Sequence, residues 1–303
     1  MVAAMAAGAG AGCLDGGANG LVLDVYREGR GRAMNLLHLS FSLGALAAPL
    51  TVGALVEGGV PWQTVTIATG AVVSLLAVAY AIVPMPSGRR SAKGADTRLS
   101  AASAGHGDRR LLAGPLLLLG IAIATYVASE VGVSSWLVRF LEPAPLTTAT
   151  LALSLYWAGL AVGRLISSAI ADRFDHLRFT ITCTLATGVL VAAAAVVPLP
   201  LSIAAFAAAG VASGPVFPMI VAIGGNRYPE RSAAVGGSLT GMAVIGSTIY
   251  PPAMGFLSVT VGLTVAMLGN ALLAIASVLA LVAFGRATGR RAPVAHPSEG
   301  EAS

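Results

Sequence analysis

The sequence predicts an all-α integral membrane protein, built as a bundle of about nine transmembrane helices. Of its 303 residues, 56% are hydrophobic and 10% are charged, and the mean hydropathy is +0.83. A soluble domain has about a quarter of its residues charged, so this composition excludes an ordinary soluble fold. The apolar runs are long and continuous, whereas membrane β-barrels show short alternating segments, so the spans are predicted to be helices.

Hydropathy locates the individual spans when it is averaged over the roughly 19 to 20 residues that a helix needs to cross a bilayer. The nine predicted spans lie near residues 2–25, 34–56, 62–84, 112–138, 148–171, 179–199, 201–224, 233–256 and 261–284. With one exception the connections between them are short, which is typical of neighbouring helices in a bundle.

The placement of basic residues supports this helix count independently of hydropathy. Sixteen of the 18 Lys and Arg residues fall in alternate connections and in the C-terminal tail, the exceptions being Arg139 and Arg164. This asymmetry predicts a multi-pass protein of the cell (inner) membrane with its C-terminus in the cytoplasm. The first apolar segment has no Lys or Arg before Arg27, which is not typical of a signal peptide. The net charge of +5 describes membrane-facing loops and does not indicate nucleic-acid binding.

The long connection divides the chain into unequal parts. Residues 86–110 are rich in Ser, Ala, Gly and Arg, and they are predicted to be a flexible cytoplasmic linker. Residues 1–85 would form a partial N-terminal group of three helices, residues 111–285 a C-terminal group of six, and residues 286–303 a cytoplasmic tail. Transporter folds usually repeat an equal number of helices, so either the fold is unusual or helices are missing.

Asp15 is the first candidate functional residue, because it lies near the middle of the first span. A charged side chain at that depth costs at least ~2.5 kcal/mol to insert, which makes it a candidate site by default. Asn19 follows four positions later and shares its helix face. We interpret the pair as a proton-titrating carboxylate with an amide that binds a hydroxylated solute. The alternative is a buried Asp that forms a structural hydrogen bond to a neighbouring helix.

Glu130 is the other carboxylate predicted within a span, with Tyr126 one turn away on the same face. The functional interpretation gives Glu130 a role in proton coupling or gating, with Tyr126 at the solute. The alternative is an ion pair between Glu130 and Arg164, or a carboxylate that caps a kink.

Four further side chains are candidates for contact with a solute, and each has a structural alternative. Asn35 and His38 could face a cavity or could form buried hydrogen bonds within the bundle. Trp157 and Phe217 could offer apolar faces to the ring of a bound solute, although aromatic residues on membrane helices more often pack or face lipid. The prolines near residues 215 and 251 free backbone carbonyl groups, which is tolerated where a helix kinks or lines a cavity.

Other function classes find no support in the sequence. There is no phosphate-binding Gly-rich loop with Lys, which disfavours ATP-driven pumping. No Ser, Cys or metal-ligand constellation indicates an enzyme, and the four His residues are scattered, so no cofactor or metal is expected.

A set of short motifs in a fixed order covers nearly the whole chain. They are Asp15–Asn19, Met34–His38 with Gly44 and Pro49, Tyr126–Glu130 with Trp136–Phe140, Tyr156–Gly159 with Gly163–Arg164 and Asp172–Phe174, Ser213–Pro218, and Tyr250–Gly255. In this order and spacing the chain resembles the fucose/proton symporter-like branch of the major facilitator superfamily. The resemblance implies that the nine spans correspond to helices four to twelve of a twelve-helix carrier, with the first three absent.

The resemblance also implies a conformational role for Gly163, Arg164, Asp172 and Arg173, which match the eighth helix and the loop after it. Two glycines of that loop pattern are replaced here by Ser168 and Asp175, so the motif is degenerate. The implied function is secondary active transport of a small polar solute, with a sugar as the expected solute, by proton-coupled alternating access in the lipid bilayer.

Two alternatives to this function stay open. One is an inactive fragment or wrongly started reading frame of such a carrier, which a stop codon directly upstream of Met1 would favour. The other is an efflux carrier for hydrophobic compounds, in which lipophilic cations rather than sugars would protect Asp15. Oligomeric state does not follow from the sequence.

Overall fold

The computed structural model describes residues 2–82 and 114–289, and within these ranges the regular structure is entirely helical. The helices are α1 Val2–Val25, α2 Arg30–Glu57, α3 Trp62–Ile82, α4 Pro115–Phe140, α5 Leu146–Ile170, α6 His176–Val196, α7 Leu201–Ser213, α8 Val216–Arg227, α9 Ser232–Thr260 and α10 Leu263–Gly289. Single 3-10 turns, Ala171–Arg173 and Pro229–Arg231, precede α6 and α9. The predicted linker at 86–110 and the predicted tail beyond residue 289 lie outside the described residues.

The fold class predicted from the sequence is confirmed, with two differences in detail. Within the described ranges, seven segments are long and apolar enough to cross a membrane, and they match the third to ninth predicted spans. Helices α1 and α2 occupy the first two predicted spans and have sufficient length, 24 and 28 residues. They are not among these seven segments, and polar side chains such as Asp15, Asn19 and His38 interrupt their apolar sequence.

The second difference is an interruption in the span predicted at 201–224, which the structure divides into α7 and α8 at Gly214–Pro215. Proline has no N–H group, so Pro215 cannot donate to the carbonyl oxygen of Val211, and Pro218 cannot donate to that of Gly214. Carbonyl groups without helical donors therefore lie in the middle of the bundle, where other side chains have to bind them.

The helices form two groups that touch along a restricted surface. In the second group, α4 packs against α9 and α10, while α7 packs against α5 and α6. In the first group, α1 packs mainly against α9 and α2 mainly against α5, whereas α3 contacts little beyond α2. The described side chains of α3 are exposed, apart from the half-buried Val65.

Contacts between the two groups concentrate at the end of the bundle that we call the basic end. It is formed by the connection at residues 26–29 and by the two 3-10 turns. Leu23 and Met34, on either side of that connection, are fully buried in the hydrophobic cluster formed by α4, α8, α9 and α10. A second apolar cluster, around Val133, Leu160 and Met267, lies within the second group and contains none of the described side chains of α1 or α2. The two groups are therefore tied together at the basic end.

Glycine residues allow α5 and α7 to approach closely beside the interrupted helix. A Cβ atom added at Gly163 would overlap the carbonyl oxygen of Val211, and one added at Gly210 would overlap the carbonyl oxygen of Tyr156. Small residues at such positions bring helix backbones together in membranes, where apolar side chains alone give little driving force. The close approach positions Arg164, the next residue on α5, against the end of α7.

Replacing Gly163 with Ala is expected to destabilise the protein by about 1–3 kcal/mol, because the new methyl group overlaps backbone atoms that cannot move aside. The matched control is Gly241→Ala on α9, where an added Cβ has no neighbour within 4 Å. Unfolding of both variants in detergent measures the difference. Equal stability of the two variants would contradict the packing of α5 on α7.

Candidate functional site

A cavity of about 700 Å³ lies between the two helix groups, near the middle of the bundle. Six of the residues predicted from the sequence line it: Asp15, His38, Glu130, Trp157, Arg164 and Phe217. Its size lies within the range of small-molecule sites, which usually combine apolar walls with a few polar groups. The cavity therefore brings together side chains that are up to about 200 positions apart in the sequence.

Asp15 belongs to a hydrogen-bonded chain at the wall of this cavity. The buried Asn19 amide donates to Asp15 Oδ1 at 3.0 Å and to Thr240 Oγ1 at 3.2 Å. His38 Nε2 lies 2.9 Å from Asn19 Oδ1. Because an amide oxygen can only accept, His38 carries a proton on Nε2 in this arrangement. The bond to Thr240 connects α1 with α9 and thus spans the two groups.

The structural alternative for Asp15 is a buried carboxylate with a hydrogen bond to a neighbouring helix, and the structure places this side chain differently. Its side chain is exposed at the cavity and its partner is Asn19, one turn along the same helix. The exposure arises because this face of α1 has few neighbours among the described residues: a Cβ added at Gly8 or Gly12 would contact nothing within 4 Å.

Arg164 connects α5, α2 and the interrupted helix. Its Nε donates to the carbonyl oxygen of Gly214 at 3.1 Å, and its Nη1 donates to the carbonyl oxygen of His38 at 2.9 Å and to Ser42 Oγ. Pro218 leaves the Gly214 oxygen without a helical donor, so Arg164 replaces that donor. The guanidinium is thereby fixed in the wall of the cavity at 2% exposure.

Glu130 of α4 also lines the cavity and is bound by Tyr126. The Tyr126 hydroxyl contacts Glu130 Oε2 and also lies 2.7 Å from the carbonyl oxygen of Ser213, next to the helix interruption. Within the described residues there is no ion pair between Glu130 and Arg164, so the pairing considered from the sequence does not form in this conformation. The two charges face the same cavity instead.

Aromatic rings complete the wall. His38 packs against Phe217 with ring centroids 4.6 Å apart, and Phe41 lies near Trp157 with centroids 6.4 Å apart. Both pairs join α2 to the second group. The cavity therefore has aromatic surface next to its charged groups.

The other candidates lie away from the cavity. Tyr126 is buried behind Glu130, and Asn35 is buried nearer the basic end, where its Nδ2 donates to the carbonyl oxygen of Gly31 at 2.8 Å. Gly163 contributes to the packing of α5 on α7. Arg173 is exposed in the turn before α6.

Asp172 ties the two groups together at the basic end. Its carboxylate accepts hydrogen bonds from the backbone N–H groups of Gly31 and Arg32, both at 3.0 Å, and lies 3.0 Å from His176 Nε2. These N–H groups belong to the first turn of α2 and have no helical acceptor, so the acidic side chain satisfies them and complements the helix dipole.

Arg30 forms a second connection at the same end. Its guanidinium donates to the carbonyl oxygens of Leu23 and Tyr26 at the end of α1, and to that of Gly225 at the end of α8 at 2.7 Å. The side chain is 6% exposed. One cation therefore caps helix ends from both groups, which closes the basic end below the cavity.

Several residues of the site were not predicted. Thr240, Ser42, Phe41 and Ser247 lie at the cavity or bind its charged groups. The sequence indicates Arg30 only as a basic residue in the connection between the first two spans. In residues 2–82 and 114–289, no three His, Cys, Asp or Glu side chains are arranged to hold a metal ion.

Comparison with known proteins identifies relatives of this arrangement. The family model described as Major Facilitator Superfamily matches residues 1–143 and 117–302. Two solved structures have a TM-score of 0.76 and cover 91% of this chain. One is FucP, described as a major facilitator superfamily transporter in the outward conformation, at 20% identity with 73% of its chain covered. The other is a single-residue variant of the E. coli fucose:proton symporter FucP, at 21% identity and 74% coverage. A search of curated proteins finds no match.

Replacing Asp172 with Ala is expected to destabilise the protein by about 0.5–2 kcal/mol and to loosen the basic end, because the first turn of α2 loses its cap. Hydrogen exchange should speed up at the amides of Gly31 and Arg32. Asp175→Ala is the matched control, since Asp175 caps only α6 within its own group, through the Arg178 amide at 2.8 Å. Unchanged exchange at Gly31 in the Asp172 variant would contradict the cap.

Proposed function

The chain belongs to the major facilitator superfamily, and we propose on that basis that it is a secondary transporter of a small polar hydroxylated solute, a sugar or sugar derivative, driven by protons. The observation that carries the proposal is the cavity between two helix groups with one carboxyl group from each, Asp15 from α1 and Glu130 from α4. A carrier needs a solute site that both groups share, so that their relative movement exposes it to either side in turn.

We further propose that the basic end faces the cytoplasm, as the distribution of basic residues indicates. In that orientation Arg30 and Asp172 close the cytoplasmic side of the cavity. Alternating access would then require these connections to break while the two groups approach each other at the opposite end. The C-terminus would then lie in the cytoplasm, and the protein would span the cell membrane.

The proton role of Asp15 is supported by its hydrogen bonds. As a carboxylate it accepts from the Asn19 amide, and the same amide nitrogen donates to Thr240 on the other group. Protonation of Asp15 would remove the negative charge that attracts Asn19 Nδ2. The amide would then donate mainly to Thr240 or to a hydroxyl group of the solute. The charge of Asp15 would thus influence a contact between the groups.

Replacing Asp15 with Asn is expected to reduce uptake driven by a pH gradient by about tenfold or more while leaving solute exchange, because an amide cannot release a proton. The measurement is uptake of labelled fucose and galactose by the full chain in vesicles, with and without an imposed gradient. Driven uptake at the wild-type rate would overturn the role of Asp15.

Glu130→Gln tests the second carboxyl group in the same assay, and driven uptake is again expected to fall. Glu142→Gln is the matched control, because Glu142 is exposed just after the end of α4, where it pairs with Arg139. Survival of driven uptake in the Glu130 variant would assign Glu130 a structural role. Protection of Asp15 from carboxyl modification by lipophilic cations, and not by sugars, would favour efflux of hydrophobic compounds.

A further inference from the structure

Arg164 is a buried cation with an unused donor at the cavity wall. Its Nε and Nη1 are bound to Gly214, His38 and Ser42, whereas Nη2 has no hydrogen-bond partner among the described residues. The side chain is 2% exposed, and it lines the cavity. The Nη2 group therefore keeps two unused N–H donors on a side chain that lines the cavity.

The guanidinium also has no counter-charge. In the described part of the chain, no carboxylate oxygen lies within 4.0 Å of it. An unpaired buried charge is costly in a membrane bundle, and carbonyl and hydroxyl oxygens satisfy its hydrogen bonds without neutralising it. An anion entering the cavity would supply both the missing acceptor and the missing charge.

The two carboxyl groups of the cavity are held by other donors. Asp15 is bound by Asn19, and Glu130 is bound by Tyr126. The single phenolic proton of Tyr126 faces two oxygens, those of Ser213 and Glu130. Among the described residues, neither carboxyl group forms an ion pair with Arg164.

We propose that Arg164 binds a carboxylate of the transported solute, so that the preferred solute is a small hydroxylated acid, such as a sugar acid, rather than a neutral sugar. This inference rests on the proposed transport function. A carboxylate fits better than a phosphate dianion, because only one guanidinium nitrogen is free and the carboxyl group of Asp15, which also lines the cavity, would repel a second negative charge more strongly. Trp157 and Phe217 would pack against the apolar face of the sugar ring.

The experiment measures binding of three matched ligands to the purified full chain by calorimetry: galacturonate, its uncharged methyl ester and galactose. The wild-type protein should bind galacturonate about ten- to hundredfold more tightly than the other two, as expected for one added charge-assisted hydrogen bond. Galactose 6-phosphate tests whether a phosphate group can replace the carboxylate, and it should bind more weakly than galacturonate.

Variants then assign the preference to Arg164. Arg164→Gln should bind the three ligands within about threefold of one another, whereas Arg164→Lys, which keeps the positive charge, should retain part of the preference. Arg139→Gln, on an exposed arginine paired with Glu142, is the matched control and should retain all of it. If Arg164→Gln does not fold, the affinities for the acid and the ester are compared between the wild type and Arg164→Lys. An unchanged preference for the acid in the Lys variant would then count against the role of Arg164.

The outcomes separate this inference from the proposed function. Equal binding of galacturonate, ester and galactose, together with proton-driven galactose uptake, would overturn the carboxylate site and leave the transporter intact. Full preference for the acid in Arg164→Gln would likewise overturn the role of Arg164. Absence of both binding and uptake for all these ligands would overturn the solute class and the inference together.

Discussion

A carbonyl group that loses its helical donor inside an apolar bundle has to find another donor, and the interruption between α7 and α8 imposes this requirement at the centre of the protein. Pro218 leaves the Gly214 oxygen without an N–H group, and Arg164 replaces it at 3.1 Å. The neighbouring Ser213 oxygen accepts from Tyr126 at 2.7 Å. The broken helix therefore determines the orientation of a cation and, through Tyr126, of the carboxyl group of Glu130. The two ionisable side chains that the second helix group contributes to the cavity are both positioned by this one interruption.

The same charged groups depend on close backbone packing. Arg164 reaches Gly214 because α5 and α7 approach at Gly163 and Gly210, where a Cβ atom would overlap backbone oxygens. Its other donors extend to His38 and Ser42 on α2, so the guanidinium also joins the two groups. At the basic end, Arg30 and Asp172 join them again through helix termini. Most of these contacts are hydrogen bonds from a charged side chain to backbone groups. When helices move, the side chain can bond to other backbone groups, so no ion pair has to be separated in the apolar interior.

The sequence predicted the helices well, because a membrane segment has to satisfy its backbone internally and stay apolar over about 20 residues. Asp15, Glu130 and Arg164 were also identifiable, because ionisable residues are rare at that depth. Thr240 and Ser42 were not, since hydroxyl groups on membrane helices commonly bond to a carbonyl three or four residues earlier, as Thr66 and Thr69 do. Only the packing of helices distant in sequence selects the hydroxyl groups that reach the site. The exposure of Asp15 and the capping role of Arg30 also depend on how helices distant in sequence pack together. No local sequence pattern predicts either of them.

In the proposed mechanism, Asn19 is the residue through which proton binding affects the contact between the groups. Its amide nitrogen bonds to Asp15 on its own helix and to Thr240 on α9, and its oxygen accepts from His38. Asp15 attracts that nitrogen more strongly as a charged carboxylate than as a neutral acid, because hydrogen bonds to charged acceptors are roughly twice as strong. In this proposal a proton on Asp15 would shift the amide towards Thr240 and favour contact of α1 with α9. Loss of the proton would weaken that contact, so the charge of Asp15 and the separation of the two groups would change together.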